Sequence, residues 1–181
     1  DLMSRILPAI DTLYQHLKQL KHDPEIYRPD CCPDCGLSGL WCHGFYLRKA
    51  DREGQHGVFL DPVPIPRFYC RYCRKSCSRL PACLPPRRWY LWGIQQVVLS
   101  VLIAGGSYRQ TARDHSPGRS TLSRWWHRLQ ACFDTHRFHL CSRFPALGRC
   151  DSLRSFWSAC FTERSLADAM LTLDHCGEAV P

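Results

Sequence analysis

The chain has 181 residues, of which 45% are apolar, and its formal net charge at neutral pH is +8. This length and composition suit one compact domain or two small ones with a hydrophobic core. No stretch of the sequence approaches the roughly 18 apolar residues that a membrane-spanning helix needs, so we expect no membrane partner.

Thirteen cysteines are a large number for a chain of this length, and the number is odd. Residues 1–20 carry charged groups without an uninterrupted apolar stretch, so we expect no signal peptide and a cytoplasmic, nucleoid-associated location. In a reducing compartment some cysteines are expected to bind metal and the others to act as small buried apolar residues. The odd number also disfavours a complete set of intramolecular disulfides.

Residues 1–28 are predicted to contain an N-terminal helix that covers residues 9–22. Apolar residues recur there at three- and four-residue spacing, at Ile10, Leu13, Tyr14, Leu17 and Leu20. Asp23-Pro24 is expected to end the helix. Packing against the rest of the domain is the simpler role for this helix, and dimerisation is the alternative, so a homodimer stays open.

Residues 29–84 contain two Cys-x-x-Cys pairs, Cys32 with Cys35 and Cys70 with Cys73, separated by 34 residues. Each pair can place two thiolates on one tight turn, or knuckle, and two knuckles form a closed tetrahedral site. We therefore predict one structural Zn²⁺ held by these four cysteines in a zinc ribbon. Gly36 follows the first knuckle and permits the positive φ that such turns often need.

Three alternatives to this ligand set are conceivable. Cys31 could replace Cys32, but it would break the two-residue spacing. A second metal ion would need Cys42, His43 and Cys77, whose spacing is irregular. A redox Cys-x-x-Cys usually occurs once, at a helix start in a βαβ unit, which this proline-rich segment does not resemble.

Short antiparallel strands are expected within the ribbon because its many prolines discourage long helices. The predicted strands are Leu40–Leu47, Val58–Leu60 and Arg67–Tyr69, with Arg48–Gly57 as the loop of a hairpin.

Residues 85–133 are predicted to form a three-helix module that contains a helix-turn-helix. A buried first helix over residues 91–103 stops at Gly105-Gly106. Ser107 and Gln110 form a capping-box pattern that opens a second helix through about Asp114. After a turn at residues 116–119, Ser120 is expected to cap a third helix that runs to about Phe133.

The third helix has the two faces that a DNA-recognition helix requires. Leu122, Trp125, Trp126 and Leu129 are spaced to face inward. The polar residues on the other side, and those of the second helix, are the candidate DNA contacts: Arg109, Arg113, Arg119, Thr121, Ser123, Arg124, His127 and Arg128. Thr121 and Arg124 are expected to reach base edges and the remaining arginines to contact phosphates.

The positive charge is concentrated around this module. Residues 67–128 carry 12 Lys and Arg against one acid, a net charge of +11, whereas residues 1–66 and 129–181 are slightly acidic. Concentrated charge of one sign attracts a polyanion, so double-stranded DNA is the expected partner.

Residues 134–181 are predicted to form a helical tail. Its helical stretches are Asp151 to Cys160 and Thr162 to Leu173, with Phe156, Trp157, Cys160 and Phe161 covering one side of the domain. The expected fold is therefore small α+β, with a zinc ribbon, a helix-turn-helix module and this tail.

The segment from Phe68 to Pro81, with the second knuckle followed by Ser76 and Ser78, resembles the N-terminal zinc ribbon of bacterial insertion-sequence transposases and their small accessory proteins. Residues 104–126 look like the helix-turn-helix that follows the ribbon in those proteins. The resemblance covers roughly residues 30–130 and implies a DNA-binding protein of a mobile element, with a transposase or another element-encoded protein as a further partner.

Such transposases usually continue into a nuclease domain with three metal-binding carboxylates. The acids after the third helix are Asp134, Asp151, Glu163, Asp168, Asp174 and Glu178, and about fifty residues leave no room for a sheet that would converge three of them. We therefore expect no enzyme and assign no catalytic residue. The alternatives are a protein- or RNA-binding zinc module, or a remnant of a larger transposase.

Overall fold

A computed structural model describes residues 5–50, 60–86 and 90–178 of the chain. The molecule is a small α+β protein that divides into two compact units, residues 1–91 and residues 92–181. Within the described residues, the first unit contains the strands and one α-helix, and the second contains six α-helices. In the described ranges, no helix combines the length and the apolar character that crossing a bilayer requires.

The first unit is built on a three-stranded antiparallel sheet in the order β2-β3-β4. Strand β2 covers Leu40–Arg48, β3 covers Val63–Cys70 and β4 covers Ser76–Cys77. A smaller parallel pair joins β1, Ile6–Leu7, to β5, Leu80–Pro81. Strand β2 extends beyond the predicted Leu40–Leu47, and β3 extends beyond the predicted Arg67–Tyr69. Val58 and Phe59 of the third predicted strand lie outside the described residues, as does most of the predicted hairpin loop.

Two prolines within β3 have a positional explanation. Strand β4 pairs with β3 only at Phe68 and Tyr69, so Pro64 and Pro66 lie where β2 is the single ladder partner of β3. Proline has no backbone N–H to donate to a second neighbouring strand, and no such donor is required where β3 pairs with β2 alone. The outward carbonyl of Pro64 instead accepts a hydrogen bond from Nε2 of the buried His16, at 2.9 Å.

Helix α1 covers Leu13–His22, so it begins later than the predicted residue 9. Thr12 is its N-cap: the Thr12 hydroxyl accepts from the amide of Gln15, and the Gln15 side chain accepts from the amide of Thr12. This reciprocal capping box satisfies two helix-end donors and fixes the start. The prediction that Tyr14 lies on the packed face is wrong, because its side chain is 72% exposed, whereas His16 is fully buried.

The second unit begins with α2, Trp92–Ile103, followed by α3, Tyr108–Asp114, and α4, Arg119–Ala131. Helix α2 packs against both α3 and α4. It ends in a Schellman motif, with the Gly106 amide donating to the Val101 carbonyl and the Gly105 amide to the Leu102 carbonyl. Gly105 has φ +99°, and a Cβ on Gly106 would lie 2.5 Å from Cγ1 of Val101, so both glycines are needed here.

The start and end of α4 differ from the prediction. Gly118 is the N-cap, without a side-chain capping bond, so Ser120 lies inside the first turn and does not cap the helix. The helix ends at Ala131, and the predicted end at Phe133 is wrong because Phe133 begins a separate helix, α5, which runs to Arg143. The sequence pattern alone does not reveal the break at Cys132.

The C-terminal residues form three ordered helices: α5, Phe133–Arg143, α6, Leu153–Glu163, and α7, Leu166–His175. Helices α6 and α7 both pack on α2, and Phe156, Trp157 and Cys160 are buried as predicted, whereas Phe161 is half-buried. Thr162 belongs to α6, so the boundary between the two predicted helices lies at residues 164–165 instead.

Candidate metal centre and nucleic-acid interface

The four cysteines of the two knuckles form one cluster. The Sγ atoms of Cys32, Cys35, Cys70 and Cys73 all lie within 4.8 Å of one another. Sγ of Cys32 is 3.5 Å from that of Cys73, and Sγ of Cys35 is 3.6 Å from that of Cys70. Disulfide sulfurs would be about 2 Å apart. The predicted ligand set is thus brought together, and it could hold one metal ion.

The two knuckles have the same backbone geometry. In the first, the Gly36 amide donates to the Cys32 carbonyl and the Cys32 amide to the Leu37 carbonyl; in the second, the Arg74 amide donates to the Cys70 carbonyl and the Cys70 amide to the Lys75 carbonyl. Gly36 and Arg74 occupy equivalent positions, and both have positive φ, +73° and +58°. The prediction for Gly36 is confirmed, and the same requirement at Arg74 was missed.

The cluster is anchored on one side in a hydrophobic core. Cys32 and Cys70 are buried and belong to the same packed group as Leu40 and Phe68, whereas Cys35 is exposed. Across the two knuckles, Nζ of Lys75 donates to a carboxylate oxygen of Asp34 at 2.9 Å. Both side chains of this ion pair are well exposed, so it adds little to stability.

The backbone of the second knuckle favours a thiolate at Cys70. A hydrogen bond from the backbone of Cys73 is the largest cause that lowers the pKa of the Cys70 thiol to about 7, and a hydrogen bond from the backbone of Tyr72 acts in the same direction. The thiols of Cys35 and Cys73 also accept backbone hydrogen bonds, but burial and the neighbouring thiols of the cluster raise their pKa, so the thiolate is favoured at Cys70 and not at these two.

The other cysteines near the knuckles do not belong to the cluster. Cys77 packs against the same hydrophobic core, and burial raises the pKa of its thiol to about 11. This environment suits the packing role that the sequence predicts for Cys77. Cys31 and Cys42 likewise lie outside the four-cysteine group, which retains the two-residue spacing of both pairs.

Helix α4 has one buried and one solvent-facing side. Leu122, Trp125, Trp126 and Leu129 are all buried, as their spacing predicts. On the other side Arg119, Arg124, His127 and Arg128 are exposed, and Thr121 and Ser123 are half-buried. The helix therefore presents a continuous polar surface that is supported from behind by two tryptophans.

Two side-chain contacts order this polar surface. The Arg124 guanidinium donates to the Thr121 hydroxyl at 3.3 Å, and Nδ1 of His127 lies 2.7 Å from the Ser123 carbonyl. Both contacts are exposed and follow the spacing of neighbouring helical turns. They hold the side chains along the helix in directions that leave the charged ends in solvent.

Helix α3 contributes a second exposed cationic surface. Arg109 and Arg113 are both exposed, and α3 packs on α4. Ser107 caps α3 as predicted, by accepting from the Gln110 amide. The return half of the predicted capping box is replaced, because the Gln110 side chain donates to the Asp114 carboxylate.

The sequence reasoning missed the residue that joins the tail to this module. Arg154 of α6 donates to the Leu102 carbonyl at 3.0 Å and to the Ile103 carbonyl, and its guanidinium lies 5.4 Å from the ring centre of Trp126. It therefore caps the C-terminus of α2 and contacts the buried face of α4 at once. No short-range pattern connects residues this far apart in the chain.

Comparison with known proteins gives one match. No curated protein and no solved structure is detectably similar to the chain. A family described as a domain of unknown function, DUF6431, matches residues 32–125, from the first knuckle into α4, which is more than half of the chain. The chain therefore belongs to the DUF6431 family.

Proposed function

We propose that the chain is a zinc-stabilised DNA-binding protein of a mobile genetic element, related to the recognition region of transposases, in which α4 reads duplex DNA. The observation that carries the proposal is the two-sided character of α4. Four apolar residues are buried on one side, and the eight candidate contact residues of α3 and α4 are exposed or half-buried. The link to mobile elements rests on the resemblance described above.

Zinc is the metal that best fits the four-cysteine cluster. A tetrahedral site with Zn–S bonds of about 2.3 Å requires sulfurs about 3.8 Å apart. Two of the sulfur pairs are 3.5 and 3.6 Å apart, so a small expansion would accommodate the ion. Four thiolates leave no open position for a substrate, so the ion would supply folding energy and no catalysis.

The proposed docking places α4 in the major groove. Thr121 and Arg124 lie near its N-terminus, where recognition helices contact base edges, and Arg can bond a guanine bidentately. Ser123 and His127 flank them one turn apart. Arg119 and Arg128 on α4, with Arg109 and Arg113 on α3, are assigned to phosphates beside the groove.

The charge distribution supports this docking. Residues 62–113 contain no acidic residue, and Asp114 is the single acid in the segment 67–128. Asp114 accepts from the Gln110 side chain, which reduces its availability to the candidate arginines. Each phosphate contact releases counterions, so a surface of this kind binds DNA in a salt-dependent manner.

The test is a competition experiment on the full chain with one bound zinc. A labelled duplex would be displaced by unlabelled duplex DNA, by single-stranded RNA and by heparin. The proposal predicts that duplex DNA competes best, and that Arg124→Ala reduces affinity for the preferred duplex. Arg149→Ala is the matched control, since Arg149 is also exposed but lies in the turn between α5 and α6.

Two results would contradict the proposal. RNA as the better competitor would show that the protein is an RNA-binding module instead. Equal loss of duplex affinity in Arg124→Ala and Arg149→Ala would show that α4 has no privileged role and that binding reflects net charge alone.

A further inference from the structure

The outer face of the sheet beside the metal cluster carries aromatic rings that are exposed or half-buried. Trp41 on β2 is 57% exposed and lies directly opposite Tyr69 on β3. The ring of His43, also exposed, has its centre 5.6 Å from that of Tyr69. We refer to Trp41, His43 and Tyr69 as the aromatic face.

At the end of the sheet beside the cluster, the core lies on the other side of the sheet, whereas Val63 and Ile65, further back on β3 and on the same side as Tyr69, are buried in a second core. Leu40 and Cys70 pair across the strands, as do Cys42 and Phe68, and Leu40, Phe68 and Cys70 are buried in the core next to the cluster. Since side chains alternate along a strand, Trp41 and Tyr69 project to the opposite side. Several adjoining aromatic rings on the surface of a sheet mark a candidate interaction site.

The surroundings of the aromatic face are cationic. Residues 35–50 and 62–86 contain no acidic residue, and residues 62–79 contribute Arg67, Arg71, Arg74 and Arg79, besides Lys75, whose charge is paired with Asp34. Arg67 lies two residues before Tyr69 on β3, so its side chain projects from the same side of the sheet. Its guanidinium lies 5.3 Å from the ring centre of Tyr46.

We propose that the aromatic face binds single-stranded nucleic acid by stacking of unpaired bases on Trp41 and Tyr69, with Arg67 on the phosphate backbone. Flat rings, of which Trp41 is exposed and Tyr69 half-buried, beside a cationic side chain match the two parts of a single strand, the base and the phosphate. Duplex DNA hides the faces of its bases, so this site is chemically distinct from the one assigned to α4. A surface that binds an apolar peptide could carry carboxylates nearby, whereas carboxylates would repel the phosphates of a nucleic acid.

The test uses an oligothymidine of roughly 12 nucleotides, within the site sizes of known single-strand binders, and an abasic strand of the same length. The abasic strand retains the phosphates but has no base to stack. Fluorescence anisotropy would be measured on the full zinc-loaded chain. We expect the oligothymidine to bind more tightly than the abasic strand, and Trp41→Ala to weaken its binding roughly fivefold or more.

Two further variants make the result specific. Trp41→Phe retains a stacking ring and should recover most of the affinity, whereas Tyr14→Ala removes an equally exposed aromatic ring on α1 and should change nothing. Thermal unfolding of each variant would verify that the fold is intact. Because Arg124→Ala lies in the other unit, its effect on duplex binding separates the two proposals.

The proposal would be overturned by any of three outcomes. The oligothymidine does not bind, or the abasic strand binds equally well, or folded Trp41→Ala binds as the unsubstituted chain does. The second outcome would mean attraction by charge alone, and the third would mean that the tryptophan serves another partner, such as a protein.

Discussion

Arg74 and Gly36 illustrate how a single backbone angle shapes the metal site. Each follows its knuckle at the same position and has positive φ, yet one is glycine and the other carries a long side chain. A residue with a Cβ is strained by about 1–2 kcal/mol in this conformation. We infer that the second knuckle carries a local strain that the first avoids.

Two substitutions test this inference. Gly36→Ala should lower the free energy of unfolding of the zinc-loaded protein by about 1 kcal/mol, and Arg74→Gly should leave it unchanged or raise it. Nothing lies within 4 Å of a Cβ on Gly36, so a loss there would reflect φ and not a clash. Gly148→Ala, where space is also free, is the control for denaturant unfolding; equal effects at positions 36 and 148 would refute the inference.

Cys35 and Cys31 provide a matched pair for the ligand assignment. Cys35 belongs to the cluster and Cys31 does not, although Cys31 adjoins the ligand Cys32. Cys35→Ser should reduce bound zinc from one ion per chain and destabilise the first unit, because three thiolates bind the ion more weakly. Cys31→Ser should retain one ion. Metal analysis of both variants after dialysis would measure the bound zinc, and loss of zinc in both would contradict the ligand assignment.

At the scale of elements, α5 introduces a pH dependence. His136 is buried against Trp157, and burial, together with the charges of Arg128 and His139, lowers its pKa to about 4. Between this value and the ordinary pKa near 6.5, the unfolded chain binds more protons than the folded one. Stability should therefore rise with pH across that window, by about 3 kcal/mol in total.

The pH dependence can be assigned to this one side chain. His136→Phe retains a ring against Trp157 but cannot bind a proton, so the change in unfolding free energy between about pH 4 and 6.5 should become smaller by the amount stated above. Denaturant unfolding at several pH values provides the measurement. An unchanged slope in the variant would show that other groups cause the dependence.

The contact between α6 and α2 joins the tail to the module formed by α2, α3 and α4. Arg154 hydrogen-bonds the last carbonyls of α2 and contacts Trp126 of α4. Arg154→Met removes charged donors from part-buried hydrogen bonds to the α2 carbonyls and should cost about 1–3 kcal/mol of stability, although the residue as a whole is exposed. Arg149→Met, at a second exposed position away from the end of α2, should cost far less. Chemical denaturation compares them, and equal costs would mean that Arg154 is not a structural anchor.

The charge of the molecule predicts how the proposed DNA binding would respond to salt. With about six phosphate contacts, the logarithm of the duplex affinity should fall against the logarithm of salt concentration with a slope on the order of −5. Removal of Arg109 and Arg113 together should make this slope shallower by about 2. Binding titrations over a range of salt would measure it, and a flat dependence would contradict the electrostatic part of the account.

Local patterns were enough to predict the parts of the fold that depend on spacing. The Cys-x-x-Cys pairs predicted the cluster, and the period of Leu122, Trp125, Trp126 and Leu129 predicted the buried side of α4. Gly105-Gly106 correctly predicted the end of α2, and Ser107 the start of α3, because helix caps depend on residues that are close in the sequence.

Other features depended on distant contacts and could not be predicted in this way. The buried His16 is explained only by Tyr27 and the Pro64 carbonyl, which the fold brings to it. Helix α5 was missed because Cys132 breaks a continuous helical pattern without a proline or glycine. The predicted start of α4 is wrong because Ser120 has a side chain typical of an N-cap, whereas Gly118 has the extended backbone of the N-cap residue.

DNA reading by α4 is tested most directly by selection of binding sites from random duplex DNA by the zinc-loaded protein, repeated with Arg124→Ala. We expect the unsubstituted chain to enrich one sequence motif. The variant should lose preference at one or two positions of that motif, at a cost of roughly 1–3 kcal/mol for the preferred site. Failure to enrich any duplex motif would contradict the claim that α4 reads DNA.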